Sequence, residues 1–306
     1  MKPKTQQNAL PSAAKQRGVI IVCILAMAAL GILPSVEGAT LIFEPAAPSA
    51  LIDFDNLGSG DSISTIGWTG SGTDYILGAA PRQPDINPSG MAIQADNSTT
   101  RRNAASPLQT ITPAFTLNDT VYFSGWFNRI DAGNSGGAIL LNPSEGAGYL
   151  GGYGIVDAGS NAFALYDGNG ARHSSLQTAA ANTWYEIALV IDLNAEDVSL
   201  SLGYLFVRNV TAGESAFTLI EDLAGISMAY TDAFNATHFG KFSATSFRNQ
   251  AQIDNLAAGI GTLTPIPEPS SLPVLGTVLL LLWQFSSRSS RVRTDFSRFQ
   301  ATGRIH

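Results

Sequence analysis

Carboxyl pairs, histidines and exposed aromatic rings are the residue types that could do chemistry, and this sequence supplies them unevenly. Acid–base work on one bond commonly takes two carboxyl groups flanking it. Glu186 stands alone on its strand, with Trp184, Ala188, Val190 and Asp192 as its alternation partners. It reads as a partly exposed strand position. Glu221-Asp222 would face opposite sides of an extended chain and reads as a loop. The middle of the chain holds two histidines: His173, beside Arg172 in a Gly/Ser loop, and His238, which opens a strand. No nucleophile-elbow pattern joins them to a serine. Two histidines without a cysteine also argue against zinc. For stacking on a ligand the candidates include Tyr149, Tyr153 and Tyr166, with Tyr149 and Tyr153 expected on one strand face. Trp126 and Trp184 read as core. The expectation is a domain that is not an enzyme.

The elements that would carry these residues are strands. The 306-residue chain is 45% hydrophobic and 13% charged, with 30 Gly and 15 Pro. That charge is about half the usual ~25%, and apolar runs recur throughout, so the chain is not of the disordered class. Residues 120–130 and 183–193 are rich in aromatic and β-branched types, which suit a pleated surface. Shorter strands are expected at 50–54, 91–95, 138–141, 149–156, 162–166, 198–207, 217–220, 238–243 and 252–257, with one helical turn allowed within 215–226. Turn clusters such as Asp167-Gly168-Asn169-Gly170 separate them. That spacing predicts a sandwich or barrel. No internal repeat suggests a solenoid or propeller.

Charge divides the chain in three. Lys2, Lys4, Lys15 and Arg17 precede the first apolar run, and Arg288, Arg291, Arg293, Arg298 and Arg304 follow the last. Residues 40–261 keep eight basic against twenty-one acidic residues. An acidic middle excludes nucleic acid as an expected partner, since phosphate binding needs clustered Lys and Arg. Residues 18–33 form an apolar run ended by Pro34, with small residues Gly38 and Ala39 beyond it. This is the pattern of a secretory signal peptide, assigned to 1–39, with a retained anchor helix as the alternative. The lone Cys23 lies in that run and would leave with it. A β-sandwich domain is expected at 40–261. Residues 262–269 form a linker ending in Pro267-Glu268-Pro269, 270–287 a short transmembrane helix and 288–306 a basic cytoplasmic tail. The helix is short against ~30 Å of hydrocarbon, which suits a transient anchor. The arginines place its far end in the cytoplasm and the middle domain outside.

That C-terminal order, Pro267-Glu268-Pro269, Leu-rich helix, then Arg288, Arg291 and Arg293, resembles the PEP-CTERM sorting signal over about the last forty residues. The resemblance implies a Gram-negative bacterium that makes exopolysaccharide. Signal peptidase and an exosortase would be processing partners, and the cell surface or extracellular matrix the destination. The chain departs from that pattern in continuing from Thr294 to His306. In the middle, residues 121–127, then 184–192, then Ile253-Asp254-Asn255-Leu256 resemble the concanavalin/laminin-G-like jelly rolls. The fold implied is an all-β jelly-roll β-sandwich flanked by a signal helix and a transmembrane helix. Glycan binding is the role implied most, and a structural role without ligand is also frequent. Glycosidases of that group carry Glu-x-Asp-x-x-Glu or Glu-x-Asp-x-Glu on one strand, and no such run occurs here. The first and last strands pair in that group. Asp53 or Asp55 would then meet Asp254, with structural calcium as the candidate ion and solvated edge aspartates as the alternative. The expected function is exopolysaccharide binding by an exported protein. The alternatives are a structural surface protein and a carbohydrate-active enzyme of unrecognised type.

Overall fold

Two nine-residue strands, Thr120–Asn128 and Trp184–Asp192, pair directly within the larger of two sheets. The computed structural model describes residues 41–52, 54, 62–70, 75–79, 91–95, 102–130, 135–144, 148–156, 160–233, 237–248 and 250–265. In chain order the strands are β1 (Leu41–Pro45), β2 (Ala50–Ile52), β3 (Thr69–Gly70), β4 (Tyr75–Ala79), β5 (Met91–Ala95) and β6 (Arg102–Ala105). Next come β7 (Thr120–Asn128), β8 (Gly136–Pro143), β9 (Gly151–Ile155), β10 (Ala162–Tyr166), β11 (Arg172–Thr178) and β12 (Trp184–Asp192). The last are β13 (Leu202–Asn209), β14 (Thr218–Leu219), β15 (Ile226–Ser227), β16 (Phe239–Arg248) and β17 (Gln252–Pro265).

The protein is all-β, built from antiparallel sheets. One has ten strands, in the order β14-β13-β12-β7-β17-β5-β4, with β1 and β2 also on β17 and β15 on β13. The other has seven, in the order β11-β10-β9-β8-β16-β6-β3. Between them lies one large core. Val121, Phe123 and Phe127 of β7 and Ile187, Leu189 and Ile191 of β12 enter it from one side. Ile139, Tyr153, Phe242 and Phe247 enter from the other. Phe127 stacks on Phe247 at 6.2 Å and meets Tyr153 edge-on at 5.7 Å, so aromatic contacts bridge the two sheets. Gly137 is required at this seam, because a Cβ there would come within 2.5 Å of the Phe247 ring.

The expected pairing of first and last strands is observed: Ile52 lies opposite Leu256. The strong strands at 120–128 and 184–192 are direct neighbours, with Tyr122 opposite Val190 and Trp126 opposite Glu186. Three expectations change, and a fourth is met. Residues 262–265, read as linker, continue β17 and pair with β1, Leu41 opposite Pro265. Residues 198–200 form a 3-10 turn capped by the Asp197 carboxylate on Ser199 N–H, so β13 starts only at Leu202. The loop expected around His173 is a strand, β11, at the sheet edge; its polar, mostly exposed residues carry no alternation to read. The helical turn allowed within 215–226 is a short 3-10 turn at Glu221–Leu223. The predicted signal and transmembrane helices lie outside the described residues, among which no helix is long and apolar enough to cross a membrane.

Leu189 is fully buried in the core, whereas Leu176 on β11 is 92% exposed. Leu189→Ala is expected to lower unfolding stability by about 2–5 kcal/mol and Leu176→Ala by less than about 0.5 kcal/mol, read by urea unfolding.

Candidate functional site

The face of the ten-stranded sheet turned away from the main core is where unusual side chains collect. β7 presents Tyr122, Ser124, Trp126 and Asn128 there, since successive residues alternate faces. β12 presents Trp184, Glu186 and Ala188, and β13 presents Phe206 and Arg208. Register then lines up Asp254, Trp126, Glu186 and Arg208 across four adjacent strands. One step along, Gln252 donates to Gln94 at 2.8 Å and accepts from Asn128 at 2.9 Å, a ladder of amides across three strands.

Glu186 is buried, so its charge needs a partner. Arg208 sits directly opposite on β13 and supplies one: Nε donates to Glu186 Oε2 at 2.7 Å, and a second guanidinium nitrogen donates to the same oxygen. Arg208 is fixed in turn by donating to the Ser215 carbonyl at 3.0 Å and by lying 4.9 Å above the Phe217 ring. Glu186 is therefore an ion-paired, oriented carboxylate, where the sequence suggested a partly exposed strand residue. The partner lies 22 residues away, and only the β12–β13 register reveals it.

A segment crosses above this face. β1 pairs with the end of β17, and Phe43 packs between Tyr122, Phe206 and Phe217 at 5.3–5.5 Å. The Tyr122 hydroxyl donates to the Ala46 carbonyl at 2.9 Å. Between this segment and the sheet remains a cavity of about 330 Å³. Its walls include Phe43, Pro45, Ala46, Pro48 and Leu51 above, and Tyr122, Ser124, Trp126, Glu186 and Asn255 below. That volume is at the small end of ligand pockets.

Asn255 is the least satisfied group of the cavity wall. It sits at a bulge in β17, where the register against β7 shifts between Asp254 and Ala257, and it holds a left-handed φ of 48°. Its side chain is buried, yet among the described residues neither Oδ1 nor Nδ2 has a hydrogen-bond partner. A buried amide left unpaired costs about 1–3 kcal/mol, which a ligand offering both a donor and an acceptor would recover. Tyr122 adds a proton-bearing hydroxyl. Burial, and next the nearby Glu186 charge, push its pKa up to about 12, so it stays protonated at neutral pH.

The residues singled out in the sequence fall in several places. Tyr153, expected to share an exposed face with Tyr149, is fully buried in the core, and its hydroxyl donates to the Ser124 carbonyl at 2.7 Å. Tyr149 precedes β9 and lines an open groove on the seven-stranded sheet; Tyr166 is half-buried beside Ala162 and Ala164. Trp126 and Trp184 are buried as expected, but on the outer face, where they meet edge-on at 6.4 Å. Asp167 closes a tight turn, accepting from Asn169 and Ala171 N–H groups at 2.9 Å. Asp254 is buried and accepts from the Asn255 N–H at 2.8 Å. Asp53 and Asp55, its expected calcium partners, lie outside the described residues. So do Pro267, Glu268, Pro269, Arg288, Arg291 and Arg293. Among the described residues no three His, Cys, Asp or Glu side chains are grouped to hold a metal.

No protein-family model matches the chain, and no curated protein does. Solved structures resemble its fold at low identity. An alginate lyase from Aplysia kurodai is similar over 70% of this chain and all of its own, at 12% identity and a TM-score of 0.48. An endo-β-1,4-glucuronan lyase from Trichoderma reesei matches over 70% of this chain and 95% of its own, at 13% identity and a TM-score of 0.40. Domain 4 of an extracellular arabinanase from Geobacillus stearothermophilus, solved with arabinotriose, matches over 72% and 96%, at 16% identity and a TM-score of 0.42. The expectation of a domain that is not an enzyme is corrected by this comparison: the structures that resemble the chain come from polysaccharide lyases and glycoside hydrolases.

The raised Tyr122 pKa ties stability to alkaline pH. The folded state holds the phenol proton more tightly than the unfolded chain, so this contribution is complete below pH ~10 and is lost between about 10 and 12. Tyr153 and Tyr230 are pushed up by burial in the same direction. Tyr122→Phe is expected to flatten the fall of the urea midpoint between pH 10 and 12 without abolishing it.

Proposed function

We propose that the Leu41–Pro265 unit is a carbohydrate-active domain that holds a sugar in the cavity beneath β1. The observation that carries this reading is Asn255, whose buried amide has no partner on the wall of that cavity. A sugar hydroxyl donates and accepts at once, which answers both atoms of the amide. Glu186, held by Arg208, offers lone pairs, and so does the Tyr122 oxygen, whose proton goes to the Ala46 carbonyl. Phe43, Phe217 and the proline side chains supply the apolar walls that carbon-bound hydrogens of a pyranose prefer. Among the described lining residues Glu186 is the sole carboxylate, so paired-carboxylate hydrolysis has only one of its two groups there.

Mobility in gels containing alginate, glucuronan, arabinan or β-glucan reads binding, and new reducing ends or unsaturated products read turnover. At least one polymer is expected to retard the protein or be cut. Glu186→Gln and Asn255→Gly should each weaken that effect about tenfold, the loss of one good hydrogen bond to a charged or buried group. Glycine tolerates the left-handed backbone at 255, so Asn255→Gly should leave stability unchanged or raised, a result that a purely structural asparagine would not give. Wild-type protein that neither binds nor alters any of these polymers would overturn the reading.

The same proposal puts the domain outside the cell. Its support is the apolar run at 18–33, the Pro267-Glu268-Pro269 motif and the arginines behind the second apolar run. Mass spectrometry of the protein from its native host should find a chain that starts near residue 39 and ends near Pro267. An intact 306-residue chain in the cytosol would contradict export.

A further inference from the structure

The outward face of the seven-stranded sheet carries a separate open groove of about 380 Å³, lined by β3, β6, β8, β16 and Tyr149. We infer that this groove is a second carbohydrate site, one that takes a neutral glycan chain. Ser243 and Thr245 are two residues apart on β16, so both side chains point outward about 7 Å apart. Each hydroxyl is locked to an amide on a neighbouring strand. Ser243 Oγ donates to Asn142 Oδ1 at 2.6 Å on β8, and Thr245 Oγ1 donates to Asn103 Oδ1 at 2.9 Å on β6.

Backbone groups with fixed roles set which way the two amides face. Ser246 N–H donates to Asn103 Oδ1 at 3.0 Å, and a backbone N–H can only donate. Asn142 Nδ2 donates to the Gly148 carbonyl at 3.3 Å, and a carbonyl can only accept. Asn103 Oδ1 therefore has both lone pairs engaged within the protein, and Asn142 Oδ1 one of its two. Asn103 Nδ2 is left without a protein partner among the described residues, and Asn142 Nδ2 keeps a second proton to give. The two hydroxyls have spent their protons and still offer lone pairs. The result is a row of oriented donors beside oriented acceptors, the complement of the hydroxyl and ring oxygens along a sugar chain.

The floor fits a sugar's other face. Gly70 and Ala105 carry almost no side chain, and Ala104 and Ala244 turn theirs into the core, so a ligand can come close to the sheet. Leu140 adds an apolar patch. At one wall stands Tyr149, whose ring lies against Gly170: an added Cβ there would come within 3.1 Å of it. Among the described residues no charged side chain lines the groove, whereas an ordinary surface is about a quarter to a third charged. That selects a neutral polymer over an acidic one. It also separates this site from the Glu186 cavity, which opens on the other sheet.

Affinity electrophoresis of the full-length protein tests this, with mixed-linkage β-glucan and galactomannan as neutral probes and alginate as the acidic one. Asn103→Ala combined with Asn142→Ala is expected to weaken retardation by a neutral probe about tenfold. The loss should be the same in a Glu186→Gln background, since independent sites add. Retardation by alginate should not change. If the double variant loses its fold, Tyr149→Ala carries the same expectation. A folded variant retarded by both neutral probes as strongly as wild type would overturn the proposal. So would wild-type protein that neither neutral probe retards.

Discussion

Glu186 can be buried under β1 only because Arg208 faces it across the β12–β13 pair. A buried carboxylate without a partner would cost several kcal/mol or lose its charge. That single pairing fixes more than itself. It links two adjacent strands and holds Arg208 over Phe217, the ring that packs on Phe43 at the cavity wall. Buried pairs seldom stabilise more than an apolar substitute would, so its retention here is better explained by what it presents than by what it holds together.

The second constraint is the return of the chain onto itself. β17 pairs with β7 on one side and with β5, β2 and β1 on the other. The first and last strands of the Leu41–Pro265 unit are thus neighbours along one ladder, and β1 is carried across the outer face of the sheet. The bulge at Asn255 is part of the same geometry. It turns an asparagine into a left-handed conformation and leaves its amide on the cavity wall without a partner. On the proposed function, that unsatisfied amide beside an oriented carboxylate is what a sugar hydroxyl would answer.

Much of the scaffold was legible in the sequence, because alternation and β-branched density survive without knowledge of the fold. Thr120–Asn128 and Trp184–Asp192 fall within two residues of where their patterns put them. The pairing of the terminal strands followed from the Ile253-Asp254-Asn255-Leu256 resemblance. The site was far less legible. Tyr153 alternates like a surface residue, yet both faces of its strand are buried, so its period carried no information about exposure. Glu186 reads as solitary because its partner is distant in sequence. Asn255 has no local signal at all, since a bulge arises from the mismatch of two strands. β1 lies close behind the predicted signal peptide and has too few residues to show a period, so its role as the roof of the cavity appears only in three dimensions.

The most direct test of the central claim is a crystal structure of the protein with an oligosaccharide drawn from whichever polymer it binds. The account predicts a sugar ring between Ala46 and Trp126, within hydrogen-bond distance of the Asn255 amide and the Glu186 carboxylate. A ligand seated only elsewhere, with Asn255 still unpaired and the cavity unchanged, would contradict it.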